Sequence, residues 1–505
     1  MSKGYNVKIN LFFASISQVL TLVFALVVPK LLINYYGPQI HGLTATISSL
    51  ISYLTLVESG IGAASVQSLY APLQERDYKL VNADLNAIAI FYLRIGKIFV
   101  TLVIVIATLY PFLSADGLDY WLVFTLVLIS GLANTIEYFF TSKYRVLLQA
   151  DKKLYVINLV NSVGILLQGI LRIVFIYLKM SIFVVQLVPA IVYAVRLISI
   201  SVYVNRAYSY LDRTVSPNFQ VEKKRWSALI HQISNLVVNN TDNIVLSSTV
   251  GYTAVSIYGV YQMIISNISG FLSQALSNAV TANFGHLLYK GGNTGLCDIY
   301  DKYERLYYYI IGIIFGICSF AICPFVKLYV GNVNGIEYAD ERLGILFVCM
   351  AILANIRIPQ LTIVTAAGHY KETQNHAICE ALINIVVSII LVNVCGIYGV
   401  LIGTIASFLY RDIMFIWYTN CRILSRSIKQ TVNNVGILML IIVYVSIVGM
   451  ICQKICGINS WMSWIVVCTI TVIVSGCTIA ILVFLFDRSI YEYVYSMFIK
   501  RSKDK

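Results

Sequence analysis

His231-Gln-Ile-Ser-Asn-Leu-Val-Val-Asn-Asn-Thr-Asp242 is a polar stretch set in an otherwise apolar chain. His231, Asn235, Asn239 and Asp242 recur at spacings of 4, 4 and 3, which puts them on one face of an α-helix. In water such a stripe is an ordinary solvated face. In hydrocarbon, polar groups facing lipid are costly, so the same stripe predicts a helix that faces protein or a wet cavity.

The surroundings decide between the two settings. The 505 residues have a mean hydropathy of +0.80, and only 12% are charged, against about 25% in soluble domains. Apolar runs of roughly 20 residues repeat along the chain, which is the pattern of a polytopic helical membrane protein. The runs are continuous rather than alternating, which excludes a β-barrel. Fourteen spans are predicted, at about 9–33, 42–70, 92–113, 120–141, 156–178, 181–204, 228–249, 256–285, 305–329, 341–366, 376–395, 398–419, 434–454 and 460–486. Lys3 and Lys8 precede a long first span with no small-residue cleavage site, so that span is read as retained.

The net charge of +13 does not point to nucleic acid. Of 36 Lys and Arg residues, 27 fall at the termini and in every second loop, including Arg76, Lys152, Arg213, Lys224, Arg305, Arg426 and Lys500. That alternation predicts cytoplasmic N- and C-termini. No outside loop exceeds about a dozen residues, so no external domain is expected. The 11 cysteines all follow residue 296, show no metal or disulfide spacing, and are read as small core residues.

A weak repeat runs at an offset of 217 residues. Ile16-Ser17-Gln18 matches Ile233-Ser234-Asn235, Gly42 matches Gly259, and Ala150 and Asn158 match Ala367 and Asn375. Six spans separate matching points, so the halves share topology and are related by an axis along the membrane normal. The fold class expected is therefore an all-α polytopic membrane protein of two parallel six-helix lobes plus two extra helices. Residues 1–204 form the first lobe, 205–227 a basic cytoplasmic linker, and 228–419 the second lobe. Residues 420–505 supply the two additional spans and a basic tail.

Polar residues concentrate in the leading spans of each half. Asn10, Ser17 and Thr21 share a face of span 1, and Glu58 lies in span 2. Asn267, Gln274 and Asn278 share a face of span 8. Together with the opening stripe they suggest a cavity walled by spans 1, 2, 7 and 8, lined by Ser17, Asn235, Asn239, Asn267, Gln274 and Asn278. The alternative is that such residues hydrogen-bond helices to one another.

Charged residues inside spans cost at least about 2.5–3.5 kcal/mol each near a helix centre, so each needs a partner or a task. Arg172, Arg196, Arg357 and Arg411 are candidates for a cationic binding cavity, since guanidinium groups suit phosphate oxygens. Arg172 near a span end could instead snorkel. Arg411 could pair with its neighbour Asp412, while Arg196 and Arg357 lack an adjacent carboxylate in sequence. Asp242, Glu58 and Glu380 are candidates for a coupling proton or cation, with His231 as a relay; pairing with an arginine is the alternative.

Enzyme signatures are absent. No Walker A loop occurs, the five histidines give no metal spacing, and Gly60-Ile-Gly62 is too short for a dinucleotide fingerprint. No enzyme activity, cofactor or metal is expected.

Several short motifs in order carry a resemblance: Tyr36-Gly37 to Gly42-Leu43, Leu56-Val-Glu-Ser-Gly-Ile-Gly-Ala63, Leu148-Gln-Ala-Asp-Lys152, Asn240-Thr-Asp-Asn243, Ala366-Ala-Gly-His369 and Gly396-Ile-Tyr-Gly-Val400. With fourteen spans, the chain resembles the polysaccharide-transporter (Wzx-like flippase) branch of the multidrug/oligosaccharidyl-lipid/polysaccharide exporter (MOP) superfamily, relatives of the lipid II flippase and of the MATE exporters. The resemblance implies a bacterial plasma-membrane flippase that moves undecaprenyl-diphosphate-linked oligosaccharide to the outer leaflet by alternating access. Such a protein serves capsule, exopolysaccharide or O-antigen synthesis. Its expected partners are the polyprenyl-diphosphate-linked oligosaccharide, membrane lipids, and the polymerase and glycosyltransferases of the same pathway; a monomer is expected. Alternatives are an ion-coupled drug or metabolite antiporter of the same fold, or a polysaccharide polymerase or ligase, which would need a substantial outside loop.

Overall fold

The computed structural model describes residues 3–58, 61–113, 116–218, 226–289, 293–487 and 489–491. Within these ranges it leaves out the side chains of 3–14, 57, 61, 63, 64, 226–230, 275, 277–279, 282, 283, 289, 293 and 294. The side chains of Asn10 and Asn278, expected on polar faces, therefore lie outside the described residues.

The chain is a succession of helices: α1 (Lys3–Tyr36), α2 (Pro38–Leu54), α3 (Ile61–Ser68), α4 (Tyr70–Glu75), α5 (Tyr78–Leu109), α6 (Tyr120–Ile136), α7 (Ser142–Ala150), α8 (Leu154–Tyr177) and α9 (Ile182–Ala207). There follow α10 (Trp226–Thr249), α11 (Tyr252–Tyr289), α12 (Asn293–Tyr329), α13 (Glu341–Ile356), α14 (Ile358–Ala367), α15 (Tyr370–Cys395), α16 (Ile397–Tyr418), α17 (Ile428–Cys456) and α18 (Trp461–Phe486). One small hairpin pairs Asn332–Val333 with Ile336–Glu337. Among the described residues, 12 of the expected spans are helices long and apolar enough to cross a membrane. The chain is a multi-pass membrane protein. The other two expected spans are the polar ones: α10, and the interrupted segment in which a tight turn, Thr55–Glu58, follows α2.

Helix ends follow local chemistry. Asp77, Asp119 and Asp340 each accept the backbone N–H three residues on at 3.0 Å, starting α5, α6 and α13. Ser460 and Ser463 form a reciprocal capping box at the start of α18. The cap at Asp77 explains why α5 starts well before the expected 92. Its 32 residues span about 48 Å, more than the roughly 30 Å of hydrocarbon, so it tilts or projects beyond the apolar layer.

The repeat is visible in the helices themselves. Helices α7, α8 and α9 begin at 142, 154 and 182; α14, α15 and α16 begin at 358, 370 and 397, offsets of 216, 216 and 215. A wide π turn at Glu137–Thr141 joins α6 to α7, and at the matching place a break at Arg357 joins α13 to α14. The turns that follow are pinned in parallel ways. Lys152 (φ 60°) and Gly368 (φ 72°) both take left-handed backbone there. Asp151 accepts a 2.6 Å bond from the Tyr208 hydroxyl after α9, whereas His369 Nδ1 lies 2.9 Å from the Tyr418 hydroxyl of α16. Burial and the bond to Asp151 push the Tyr208 hydroxyl above the ordinary phenol range, so it stays a donor. The Leu148–Lys152 and Ala366–His369 motifs are thus helix-turn anchors.

Packing divides the chain into two compact units, Met1–Gly259 and Val260–Lys505, with the division inside α11. It falls later than the sequence boundary at 228 because α10 packs on α2. There Gly42 meets the backbone of Tyr252 so closely that a Cβ would lie 1.8 Å from its carbonyl oxygen. In the second unit, Gly399 and Gly403, a small-xxx-small pair, bring α16 onto α15. A Cβ on Gly403 would meet Ser388 Oγ at 2.2 Å and its backbone N at 2.7 Å.

The cysteines correct an expectation. Cys349, Cys395, Cys421, Cys456 and Cys477 are exposed, the other six are half-buried, and all are free thiols. In a bilayer the outer surface of a bundle is as apolar as its interior, so small apolar residues need not be core residues.

Candidate functional site

The first unit holds a cavity of about 380 Å³ walled by α1, α2, α8 and the start of α9. Its floor is apolar (Phe24, Val28, Leu32, Ile165), and its polar groups are Thr21, His41, Thr44, Ser48, Gln168, Arg172 and Gln186. Gly169 keeps the α8 wall low; a Cβ there would strike the Phe24 ring at 2.3 Å.

Arg172 is the only charged residue in this lining. Its Nη2 donates to Gln186 Oε1 at 2.7 Å, while its shielded Nε has no partner among the described residues. No described acid forms an ion pair with Arg172, so its positive charge is held by a neutral amide alone. A guanidinium in that state offers donors to an anion. Helical spacing places Gln168 and Arg172 four apart on α8 and Thr44 and Ser48 four apart on α2. Sequence reasoning named Arg172 and missed the other three, although this i, i+4 spacing was readable.

The opening stripe divides in two. Asn235 and Asn239 are exposed and bonded to each other, Nδ2 to Oδ1, at 3.0 Å. Asp242, on the same face of the helix, is instead covered: it is 2% exposed and accepts from the Tyr258 hydroxyl at 2.5 Å. Around it, Tyr53 meets Thr241 at 2.5 Å and Asn243 donates to Ser49 at 2.9 Å, locking α10 to α2. His231 is half-buried. Ser17 is spent on α8, 2.6 Å from Ser162 Oγ, the helix-to-helix use that was the alternative to cavity lining.

Arg196 lies against Gly164, where a Cβ would be 2.0 Å from its Nε, and over the Tyr193 ring at 5.0 Å. It does not line the cavity. Glu58 accepts from the Tyr92 hydroxyl at 3.1 Å and lies within electrostatic reach of the Glu137–Arg145 pair.

In the second unit, Arg357 at the α13–α14 break donates to Glu380 of α15. The carboxylate that sequence adjacency could not supply comes from another helix. Arg411 approaches the same Glu380 at 3.8 Å rather than pairing with Asp412. The two guanidinium groups lie over Phe408 and Phe415, at 4.1 and 4.4 Å. Asn267 is half-buried and Gln274 exposed on α11.

A second charge network was not foreseen. Glu304 of α12, 0% exposed, accepts from Arg426 Nη2 (2.8 Å), Asn434 (2.8 Å), Thr431 (3.0 Å) and Gln360 (3.0 Å). Arg426 also reaches Asp301 at 3.3 Å, and Asp301 and Asp487 share Arg305 at 2.7 and 2.6 Å. This network ties α12, α14, α17 and the end of α18 together.

No protein-family model and no curated protein matches the chain. Solved structures do. A multidrug resistance MATE family transporter of the MOP superfamily, in an inward-facing conformation, aligns with a TM-score of 0.63 at 16% identity, over 84% of this chain and 99% of that one. The lipid II flippase MurJ, in an inward closed conformation, aligns with a TM-score of 0.63 at 12% identity, over 93% and 98%. A MOP superfamily transporter from Pyrococcus furiosus, described by the reverse polarity of its binding pocket, aligns with a TM-score of 0.55 at 14% identity, over 84% and 95%. The fold is that of the MOP-superfamily transporters.

Proposed function

We propose that this protein is a flippase for a polyprenyl-diphosphate-linked oligosaccharide, acting by alternating access between two lobes, 1–204 and 228–419. The observation that carries this reading is Arg172, a membrane-embedded cation with no acidic partner among the described residues, in a cavity of hydroxyls and amides. Moving a diphosphate through hydrocarbon is prohibitive; a guanidinium can replace its water with bidentate bonds. The hydroxyls and amides of Thr21, Thr44, Ser48 and Gln168 suit sugar and phosphate oxygens. A volume of about 380 Å³ lies within the usual range for a small-ligand site and suits the diphosphate with the sugar next to it, while the polyprenyl tail stays in lipid. Uphill movement would draw on an ion gradient or the membrane potential, and the cargo's sugar would come from glycosyltransferases and pass to a polymerase.

A drug or metabolite antiporter of the same fold is the competing reading. An unopposed arginine favours anionic over cationic cargo in either case. The test is Arg172→Ala in a cell whose surface polysaccharide depends on this protein. The variant is expected to reach the membrane at the wild-type level and to abolish the polysaccharide. Full complementation would overturn the assignment of Arg172 and, with it, the flippase reading.

A further inference from the structure

Asp412 of α16 is 3% exposed, and neither carboxylate oxygen has a hydrogen-bond partner among the described residues. An ionised carboxylate shielded in this way, without donors, is among the costliest arrangements a protein interior can hold. Arg357 and Arg411 lie within electrostatic reach, but neither donates a hydrogen bond to it. Arg357 is committed to Glu380, and Arg411 leans toward Glu380 and Phe415, leaving its own Nε and Nη1 without hydrogen-bond partners. Two arginines thus share one acid while a second acid beside them goes unused.

The charges explain why. If Asp412 were ionised, the four groups would sum to zero and the idle Arg411 donors would turn toward it. If it is neutral, Arg357 and Arg411 have only Glu380 to share, which is the arrangement observed. We propose that Asp412 is a proton site of the second unit: its carboxyl holds a proton in this conformation and releases it to water when the Arg357–Glu380 pair opens, whereupon Arg411 turns from Glu380 to Asp412. One proton leaves, no covalent bond between heavy atoms changes, and one ion pair replaces another.

The charged and titratable groups within reach of Asp412 come from four places in the second unit. Arg357 stands at the α13–α14 break, Glu380 on α15, Arg411 on α16 itself, and the Tyr308 hydroxyl of α12, which donates to Ile356 O at 2.9 Å, lies within electrostatic reach. His376 of α15, 3.2 Å from the Tyr410 hydroxyl, borders Arg411. Because α15 and α16 meet through Gly399 and Gly403, a change of partner at Arg411 acts on a tightly packed pair of helices. The site stands on the geometry of this cluster and not on the identity of the cargo, so it and the flippase reading can fail separately.

The test uses the purified full-length protein and two measurements. Infrared difference spectra between acid and alkaline buffer should show a protonated-carboxyl band, present in the wild type near neutral pH and lost in Asp412→Asn. Thermal stability should respond in a defined sense. A fold that keeps a proton the unfolded chain has lost is destabilised as pH rises, so wild-type stability should fall from the ordinary aspartate range upward. Asp412→Asn, which mimics the neutral acid, should match the wild type at acid pH and exceed it at alkaline pH. A wild type without that band, an Asp412→Asn variant less stable than the wild type at neutral pH, or one that fails to fold would each overturn the proposal.

Discussion

Removing the Glu304 carboxylate is the perturbation whose cost the structure defines most fully. In Glu304→Ala, Arg426 keeps one acid, Asp301 at 3.3 Å, and loses its 2.8 Å partner. Asn434 loses its 2.8 Å acceptor and Gln360 one of its two acceptors, all at a position with no solvent to replace them. Breaking a buried pair by removing one partner typically costs about 3–5 kcal/mol, because the remaining charge is left uncompensated. Replacing both charges by apolar residues of similar size is often close to neutral. Glu304→Ala should therefore unfold at clearly lower temperature than wild type in detergent, Arg426→Met should do likewise, and Glu304→Leu combined with Arg426→Met should recover much of the loss. The assay is a thermal-stability double-mutant comparison on purified protein, with Lys302→Ala, an exposed i,i+4 pair to Asp298, as the control expected to cost about 0.3–0.5 kcal/mol. A Glu304→Ala variant as stable as that control would refute the reasoning.

Other outcomes are equally specific. Gly403→Leu forces atoms into the Ser388 backbone and should cost about 1–3 kcal/mol by overpacking, read as a lower melting temperature, whereas Gly436→Ala, where a Cβ meets nothing within 4 Å, should not. Tyr258→Phe deprives the buried Asp242 of a hydrogen bond and should cost about 1.5–3 kcal/mol in the same assay. In the loop after α9, the backbone N–H and hydroxyl of Thr214 hold the exposed Asp212 below the usual carboxylate range. A depressed acid contributes order above its unfolded titration range and loses it as pH falls through its folded one. Limited proteolysis of this loop should therefore rise on acidification, and Asp212→Ala should flatten that rise.

The apolar runs and the 217-residue register made the spans and the repeat legible, and the repeat survives as matching helix starts, breaks and turns. Arg172 and Glu380 were legible as intramembrane charges because any such charge needs an explanation. Their partners were not: Gln186 and Arg357 lie on other helices, and pairing across helices leaves no spacing signature. Glu304 and Arg426 were hidden by setting. Among Asp298, Lys302 and Arg305, a glutamate just ahead of the expected span at 305 reads as solvated, and only its contacts with Gln360, Thr431 and Asn434 reveal burial. Asp412 was misleading for the opposite reason, since its neighbour Arg411 offered a pairing that the helix geometry turns away.

The most direct measurement is leaflet exchange in proteoliposomes holding the purified chain and an undecaprenyl-diphosphate-linked oligosaccharide with a labelled sugar, followed by the fraction of label reachable from outside. Exchange above protein-free vesicles, abolished by Arg172→Ala and retained for this cargo when a cationic drug is not moved, is the expected result. Exchange no faster than in empty vesicles, or the same rate with Arg172→Ala as with wild type, would contradict it.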